Sequence, residues 1–210
     1  QLITQLVISG EMEILAVIVI NDIEIIAMKR IYIEGENNSG IRMAFSKLFE
    51  QELKGNMPQI ILGDGINQTI DKFRTSPLIK GEERYLLVDS DEEITDRSDL
   101  IERVNEKCKQ KNCKIEATED NTFFMVQEVE AWILSQPEAL KERKVTTGLP
   151  VHNNIESIEK PSERLAEIYE KNGKRYNKTK EFSAVFKYMD SAKLKDFSSE
   201  YKALIDKLKT

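Results

Sequence analysis

The feature that most constrains the fold is an alternation of short apolar, β-branched runs with longer segments of helical spacing. Two-residue alternation predicts strands, whereas apolar residues three or four positions apart predict helices. On these criteria, strands are predicted at 30–34, 58–65, 84–93 and 113–120, and helices at 39–55, 67–76, 98–112 and 122–140. This order is typical of an α/β domain with a mainly parallel sheet flanked by helices.

The 210 residues correspond in length to one ordinary domain. We expect an α/β core over 28–143 and a C-terminal helical portion of the same domain over 144–210, where the tail 161–210 is rich in Lys and Glu. Residues 1–27 are interpreted as an N-terminal extension, because "MKR" from Met28 resembles a natural start. The alternative for this segment is a β-rich hairpin added to the fold.

Charge and composition exclude several classes of protein. The formal net charge of -6 argues against the basic footprint of a whole-molecule nucleic-acid binder, although a local basic patch stays open. The apolar run before Met28 is broken by Asp22 and Glu24, so it is too short for the roughly 20 residues of a membrane span. Cys108 and Cys113 are interpreted as reduced thiols of a cytoplasmic protein.

The single histidine, His152, is expected in a surface loop. With only this one histidine, a Ser-His-Asp or Cys-His arrangement for nucleophilic catalysis is not indicated.

Two predicted strands end in acids, and this is the pattern that points to chemistry. Glu34 ends the first strand, and Asp89 and Asp91 end the third. If those strands are parallel neighbours, the carboxylates converge at one edge of the sheet, beyond the strand ends where α/β proteins place their sites. Close carboxylates repel, and a hard cation such as Mg²⁺ relieves the repulsion. The alternative is that these acids are ordinary solvated residues of strand ends.

The segments that carry these acids, "IYIEG" and "LLVDSD", resemble the Toprim domain of topoisomerases, primases and overcoming-lysogenization-defect nucleases. More specifically, the chain is similar to an uncharacterised family of small Toprim-like proteins encoded beside an AAA-type ATPase in phage-defence operons. The similarity covers roughly 28–210 and includes "RIYIEG", "YLLVDSDEE", "FFMVQEVEAWILSQPEAL", "KPSERLAEIYEKNGKRYNK" and "YKALIDKLK". The fold that the resemblance implies is Toprim or Rossmann-like.

The resemblance implies roles for the acidic residues. Glu34 would be a general acid/base or a metal ligand, and Asp89 and Asp91 would be ligands of Mg²⁺ or Mn²⁺. Glu93 would supply a further ligand, and Gly35 would let a backbone N–H or a phosphate approach closely. The chain departs from the Toprim pattern in two respects: no glycine follows its Asp-x-Asp, and "ENNSG" lacks the acid often found a few residues after the first Glu-Gly.

A second group of candidates lies further along the chain. Glu130 is expected beside the acidic pocket with Trp132 supporting it; the alternative makes Trp132 a core residue and Glu130 a buried-edge acid paired with a Lys or Arg. The run 171–180, "KNGKRYNKTK", is the strongest basic stretch and either binds a nucleic-acid backbone or is a solvated loop. Within it, the family pattern favours a substrate-facing Lys178.

Two main functional hypotheses follow, and a third possibility is a degenerate domain that holds a nucleotide or a protein ligand. The first is a Mg²⁺-dependent Toprim-type nuclease or phosphodiesterase that acts on DNA or RNA as a bacterial anti-phage effector. The second is a non-catalytic Toprim-like binding module that partners an AAA-type ATPase, which the acidic surface and the missing glycine favour. Homo-oligomerisation is left open by the sequence.

Overall fold

The structure is a computed structural model that describes residues 28–107, 112–150 and 155–210. The N-terminal extension 1–27, Cys108 and His152 lie outside the described residues, so the expectations for them are not tested.

Within the described residues, four strands form one parallel sheet. They are β1 (Met28–Ile33), β2 (Gln59–Leu62), β3 (Glu82–Asp89) and β4 (Thr122–Met125), paired in the order β2-β1-β3-β4. The connections run through α1 (Ser39–Leu53), α2 (Ile66–Thr75) and α3 (Arg97–Lys107). The chain leaves β1 toward β2 and returns on the other side of β1 to form β3, so β1 and β3 flank a topological switch point. The predicted α/β class is confirmed.

The chain after β4 is helical, as predicted. It contains α4 (Glu130–Leu134), α5 (Pro137–Lys141), a 3₁₀ turn (Ile155–Ser157), α6 (Pro161–Lys171), α7 (Lys178–Phe186), α8 (Ser191–Phe197) and α9 (Ser199–Lys209). These helices share one hydrophobic cluster with α1 on one face of the sheet, and α2 and α3 cover the other face. Among the helices of the described ranges, none is both long enough and apolar enough to cross a membrane.

Strand residues are buried on both faces of the sheet, as expected for parallel strands covered by helices. On β1, Ile31 and Ile33 face the α1 side, while Tyr32 faces α2. The larger cluster centres on Trp132, which is 1% exposed and whose ring centroid lies 5.1 Å from that of Tyr201. The interpretation of Trp132 as a core residue is therefore confirmed.

The predicted fourth strand at 113–120 is wrong. Residues 112–121 form turns and irregular backbone, and β4 is Thr122–Met125. The segment 113–120 alternates in hydrophobicity but ends in exposed acids, whereas all four residues of β4 are buried against β3. The predicted helix over 122–140 consequently divides into β4, α4 and α5, and Pro137 starts α5.

The ion pair between Arg97 and Glu200 hydrogen-bonds to the backbone at the outer edge of β4. The Phe124 backbone N–H donates to Glu200 Oε2 (3.1 Å), and the Arg97 guanidinium donates to the carbonyl of Thr122. Arg97 Nε in turn donates to Glu200 Oε1 at 2.8 Å. Unpaired peptide groups of an edge strand invite association with other strands. This pair occupies two of these groups on β4, whose outer edge pairs with no other strand of the described residues.

Glu200→Ala should lower the free energy of unfolding by about 2–3 kcal/mol, because it leaves a buried N–H and a half-buried guanidinium without their acceptor. Glu200→Gln should cost about half as much, since it keeps an acceptor for Phe124. Urea unfolding monitored by circular dichroism measures both. The matched control is Glu167→Ala, which removes an exposed carboxylate paired with Arg164 on α6. Equal losses for Glu200→Ala and the control would contradict the edge-capping role.

Candidate functional site

Glu34 and Asp89 meet at the carboxyl edge of the sheet. The ladder pairs Ile33 with Leu87, and it continues one step further because the Glu34 N–H donates to the carbonyl of Leu87 (2.9 Å). The Glu34 side chain then bends over the end of β3, where its Oε2 accepts the backbone N–H of Asp89 at 3.1 Å. The contact lies at the switch point between β1 and β3, the place where open α/β sheets bind ligands.

Both carboxyl groups have raised pKa values. Burial raises the pKa of Asp89 well above its ordinary value, and the charge of Glu34 adds to this. For Glu34, burial raises the pKa, the N–H of Asp89 opposes the rise, and the charge of Asp91 adds to it. The fold thus holds two acids close together, and the charge of Glu34 makes ionisation of Asp89 less favourable.

Asp91 lies in a strained turn rather than in an extended strand. The third strand ends at Asp89 and not at residue 93, so the predicted extended Asp89-Ser90-Asp91 segment is wrong. Asp91 has a φ of 59° and Gln127 a φ of 62°, values that non-glycine residues rarely adopt. The Asp91 N–H donates to the Gln127 carbonyl (2.9 Å), and the Gln127 N–H donates to Ser90 Oγ (2.8 Å). These bonds fix the ends of β3 and β4 to each other.

The predicted acids are therefore only partly brought together. Glu34 and Asp89 are in contact, Asp91 is exposed but acts electrostatically on Glu34, and Glu93 lies exposed in the loop before α3. Over the described ranges, no three His, Cys, Asp or Glu side chains are arranged to hold one metal ion. Mg²⁺ typically takes one or two carboxylates and completes its shell with water. The Glu34–Asp89 pair fits that donor set.

Glu130 lies close enough to the acid pair for its charge to act on Asp89, but its side chain is not exposed to solvent. It is fully buried, and it accepts hydrogen bonds from Tyr176 Oη and Lys178 Nζ, each at 3.2 Å. The interpretation of Glu130 as a buried acid paired with a basic residue is confirmed. Glu130 therefore orients Lys178.

Lys178 is the basic residue of the site. Its side chain is 53% exposed, and its charge acts on both Glu34 and Asp89. Burial lowers the pKa of Lys178, but the charges of Glu130 and Asp89 outweigh this and leave the pKa raised. The ammonium group is thus held charged beside the acid pair, and its exposed part faces a pocket.

Two pockets flank the acid pair. The first is lined by Glu34, Gly35 and Lys178 over an apolar wall that includes Phe45 and Phe182. Gly35 has a φ of 152°, and a Cβ there would lie 3.7 Å from Ile41 Cγ2. Its backbone conformation, rather than a lack of space, is what requires glycine at the end of β1.

The second pocket lies between α3 and the end of β3 and is lined by Asp89, Asp91, Arg103 and Lys107, among others. Arg103 and Lys107 were missed by the sequence analysis. Their spacing of four residues on a helix that follows an acidic strand end is the signal that could have identified them. The contribution of the Val129 N–H, which donates to Asp89 Oδ1 at 3.0 Å, has no sequence signal because any residue supplies it.

Comparison with known families gives one match. The family model described as "Domain of unknown function (DUF4276)" matches residues 20–209. Neither a curated protein nor a solved structure matches the chain.

Asp89→Asn should stabilise the metal-free protein by about 1–2 kcal/mol at neutral pH. Asparagine still accepts the Val129 N–H, and it removes the repulsion with Glu34. Because the folded-state pKa of Asp89 is raised, the wild type loses stability as pH rises above the unfolded value of about 4. The advantage of the variant should therefore grow from pH 4 to pH 8.

Urea unfolding at both pH values, in the presence of a chelator, measures this difference. Asp206→Asn, an exposed acid on α9, is the control for the change in net charge. An Asp89→Asn protein no more stable at pH 8 than the control would contradict the proposed repulsion.

Proposed function

The chain belongs to the DUF4276 family, a domain of unknown function, and we propose that it is a Mg²⁺- or Mn²⁺-dependent phosphodiesterase that acts on nucleic acid. The observation that carries the proposal is the part-buried hydrogen bond from the Asp89 backbone N–H to the Glu34 carboxylate, which brings the two acids together at the switch point of the sheet. Two repelling acids with raised pKa values reduce stability, and such perturbed groups concentrate at functional sites. A divalent cation removes the repulsion.

Glu34 and Asp89 would hold the cation, and Asp91, beside them, would bind it through water. When bound, the ion polarises a phosphoryl oxygen and lowers the pKa of bound water. Within the described residues, no cysteine or histidine ligand accompanies these acids, and carboxylate oxygens suit Mg²⁺ and Mn²⁺.

Lys178 supplies a positive charge on the other side of the acid pair. A phosphodiester group at the pair would place a non-bridging oxygen near the ammonium, which offsets negative charge as it develops. Glu130 and Tyr176 keep that ammonium in position from beneath. Gly35 leaves the floor of this pocket open to a close approach by phosphate.

Nucleic acid is the proposed substrate because cations lie on both sides of the acid pair in an otherwise acidic chain. The basic run continues from Lys178 to Lys180 on one side, while Arg103 and Lys107 lie on the other. A phosphate backbone crossing the pair would meet both groups. The Toprim resemblance supports the same substrate class.

The resemblance also supports the proposed biological setting. We place the protein in the bacterial cytoplasm as an anti-phage effector that works with an AAA-type ATPase. The second candidate function, a non-catalytic module clamped by that ATPase, is favoured by one observation. No three carboxylates of the described residues are arranged to hold one ion, and one oxygen of Asp89 already accepts the Val129 N–H.

Purified protein should cleave at least one substrate among plasmid DNA, single-stranded DNA and RNA in Mg²⁺ or Mn²⁺, alone or with the ATPase. Glu34→Gln and Asp89→Asn should each lower the rate at least about a hundredfold, because each removes a cation ligand. Gel analysis of the products measures the rate, and Asp206→Asn is the control that should retain it. Circular dichroism verifies that each variant is folded.

Calorimetric titration with Mg²⁺ separates the two candidate functions. Binding that is lost in Asp89→Asn, together with cleavage, supports the enzyme. A wild-type protein that binds neither Mg²⁺ nor Mn²⁺ and cleaves none of the substrates would overturn the enzyme and leave the binding module.

A further inference from the structure

The pocket between α3 and the end of β3 is larger than the one at Lys178 and combines two kinds of surface. Its volume is about 130 Å³. Its inner wall is apolar and formed by the buried side chains of Leu100, Val104 and Phe124. Its rim on the β3 side is acidic and carries Ser90 with the three carboxylates of residues 89, 91 and 92. Pockets for drug-sized molecules measure roughly 300–1,000 Å³. This one therefore has room for one planar base, with the rest of a nucleotide at the rim.

The helical side of the rim is basic. Arg103 and Lys107 are one turn apart on α3, and both line the pocket. The Lys107 side chain makes no hydrogen bond or ion pair within the described part of the chain, and its charge acts on Glu34. The Lys107 ammonium group faces the acid pair across this pocket, whose inner wall is apolar. It is therefore available to an anionic ligand.

Arg103 is occupied in the structure by Glu92. The two side chains form an ion pair between α3 and the loop after β3, and each is about half exposed, at 52% and 50%. Exposed pairs of this kind contribute little to stability. Glu92 is thus a competitor that an anionic ligand at the rim would have to displace from Arg103.

We propose that this pocket binds one nucleotide unit of the nucleic-acid substrate. The base packs on the apolar wall formed by Leu100, Val104 and Phe124, and the phosphate binds Arg103 and Lys107 at the rim. This assignment rests on the proposed function, which it deepens by naming a subsite next to the acid pair. A flat ring attached to a phosphate matches the apolar wall and the basic rim together, and a free phosphate would use only the rim.

Glu92→Gln tests the subsite without requiring cleavage. Titration calorimetry with 5′-AMP and 5′-CMP, in a chelator, should detect binding to the wild type. Glu92→Gln should tighten it about three- to fivefold, because Arg103 loses its competitor. Arg103→Gln should weaken it about tenfold, because a charge-assisted hydrogen bond to phosphate is lost. Glu167→Gln, which frees Arg164 on α6 with the same change in net charge, should leave affinity unchanged.

Ribose 5-phosphate, titrated as the probe that lacks a base, should bind at least about tenfold more weakly than either nucleotide. Equal binding of the sugar phosphate, equal tightening by Glu167→Gln, or no nucleotide binding by the wild type or Glu92→Gln would overturn the subsite. Nucleotide binding that follows this pattern in a protein without nuclease activity would support the subsite while the catalytic proposal failed. Cleavage without this pattern of nucleotide affinities would support the catalytic proposal and overturn the subsite.

Discussion

Parallel pairing of β1 with β3 is the constraint on which the rest of the structure depends. It joins segments that are 55 residues apart in the chain and places a Glu34 carboxylate oxygen on the peptide N–H of Asp89. The pairing follows from the connections, because α1 carries the chain to β2 on one side and α2 returns it to the other. The side chains of the candidate site are positioned relative to that junction. Without it, Glu34 and Asp89 would be separate solvated acids of ordinary strand ends.

The junction between β1 and β3 depends on stabilising contacts elsewhere in the molecule. The strained turn at Asp91 and Gln127, together with the buried acids, is unfavourable by itself. The compensating contribution comes from the helices packed on the α1 face, where Trp132 contacts the rings of Phe45, Phe186 and Tyr201. Trp132 is two residues after Glu130 on the same short helix. Its burial therefore also fixes the direction in which the Glu130 carboxylate points.

The sequence predicted the parts of the molecule that depend on local pattern. Strand–helix alternation gave the α/β class, and acids at strand ends gave Glu34 and Asp89. Patterning misassigned β4, because Thr122–Met125 is buried on both faces and carries no two-residue alternation that marks it as a strand. The turn at Asp91 was missed because its positive φ depends on a bond to Gln127, 36 residues later. The sequence predicted only that Glu130 pairs with a Lys or Arg, because its partner Lys178 is 48 positions away along the chain.

The expected boundary between a core over 28–143 and a helical portion over 144–210 does not separate the candidate site from the helices that pack around it. Lys178 belongs to the helical portion and reaches the acid pair only because α7 packs on α1. Thr179, beside it, donates to Glu36 (2.8 Å) in the loop after β1, and Glu128 accepts the N–H of Ser162 (2.7 Å) at the start of α6. The carboxyl edge of the sheet is thus tied to the C-terminal helices at several points. An isolated 28–143 fragment would keep both acids but lose the cation that faces them and the buried surface that holds them together.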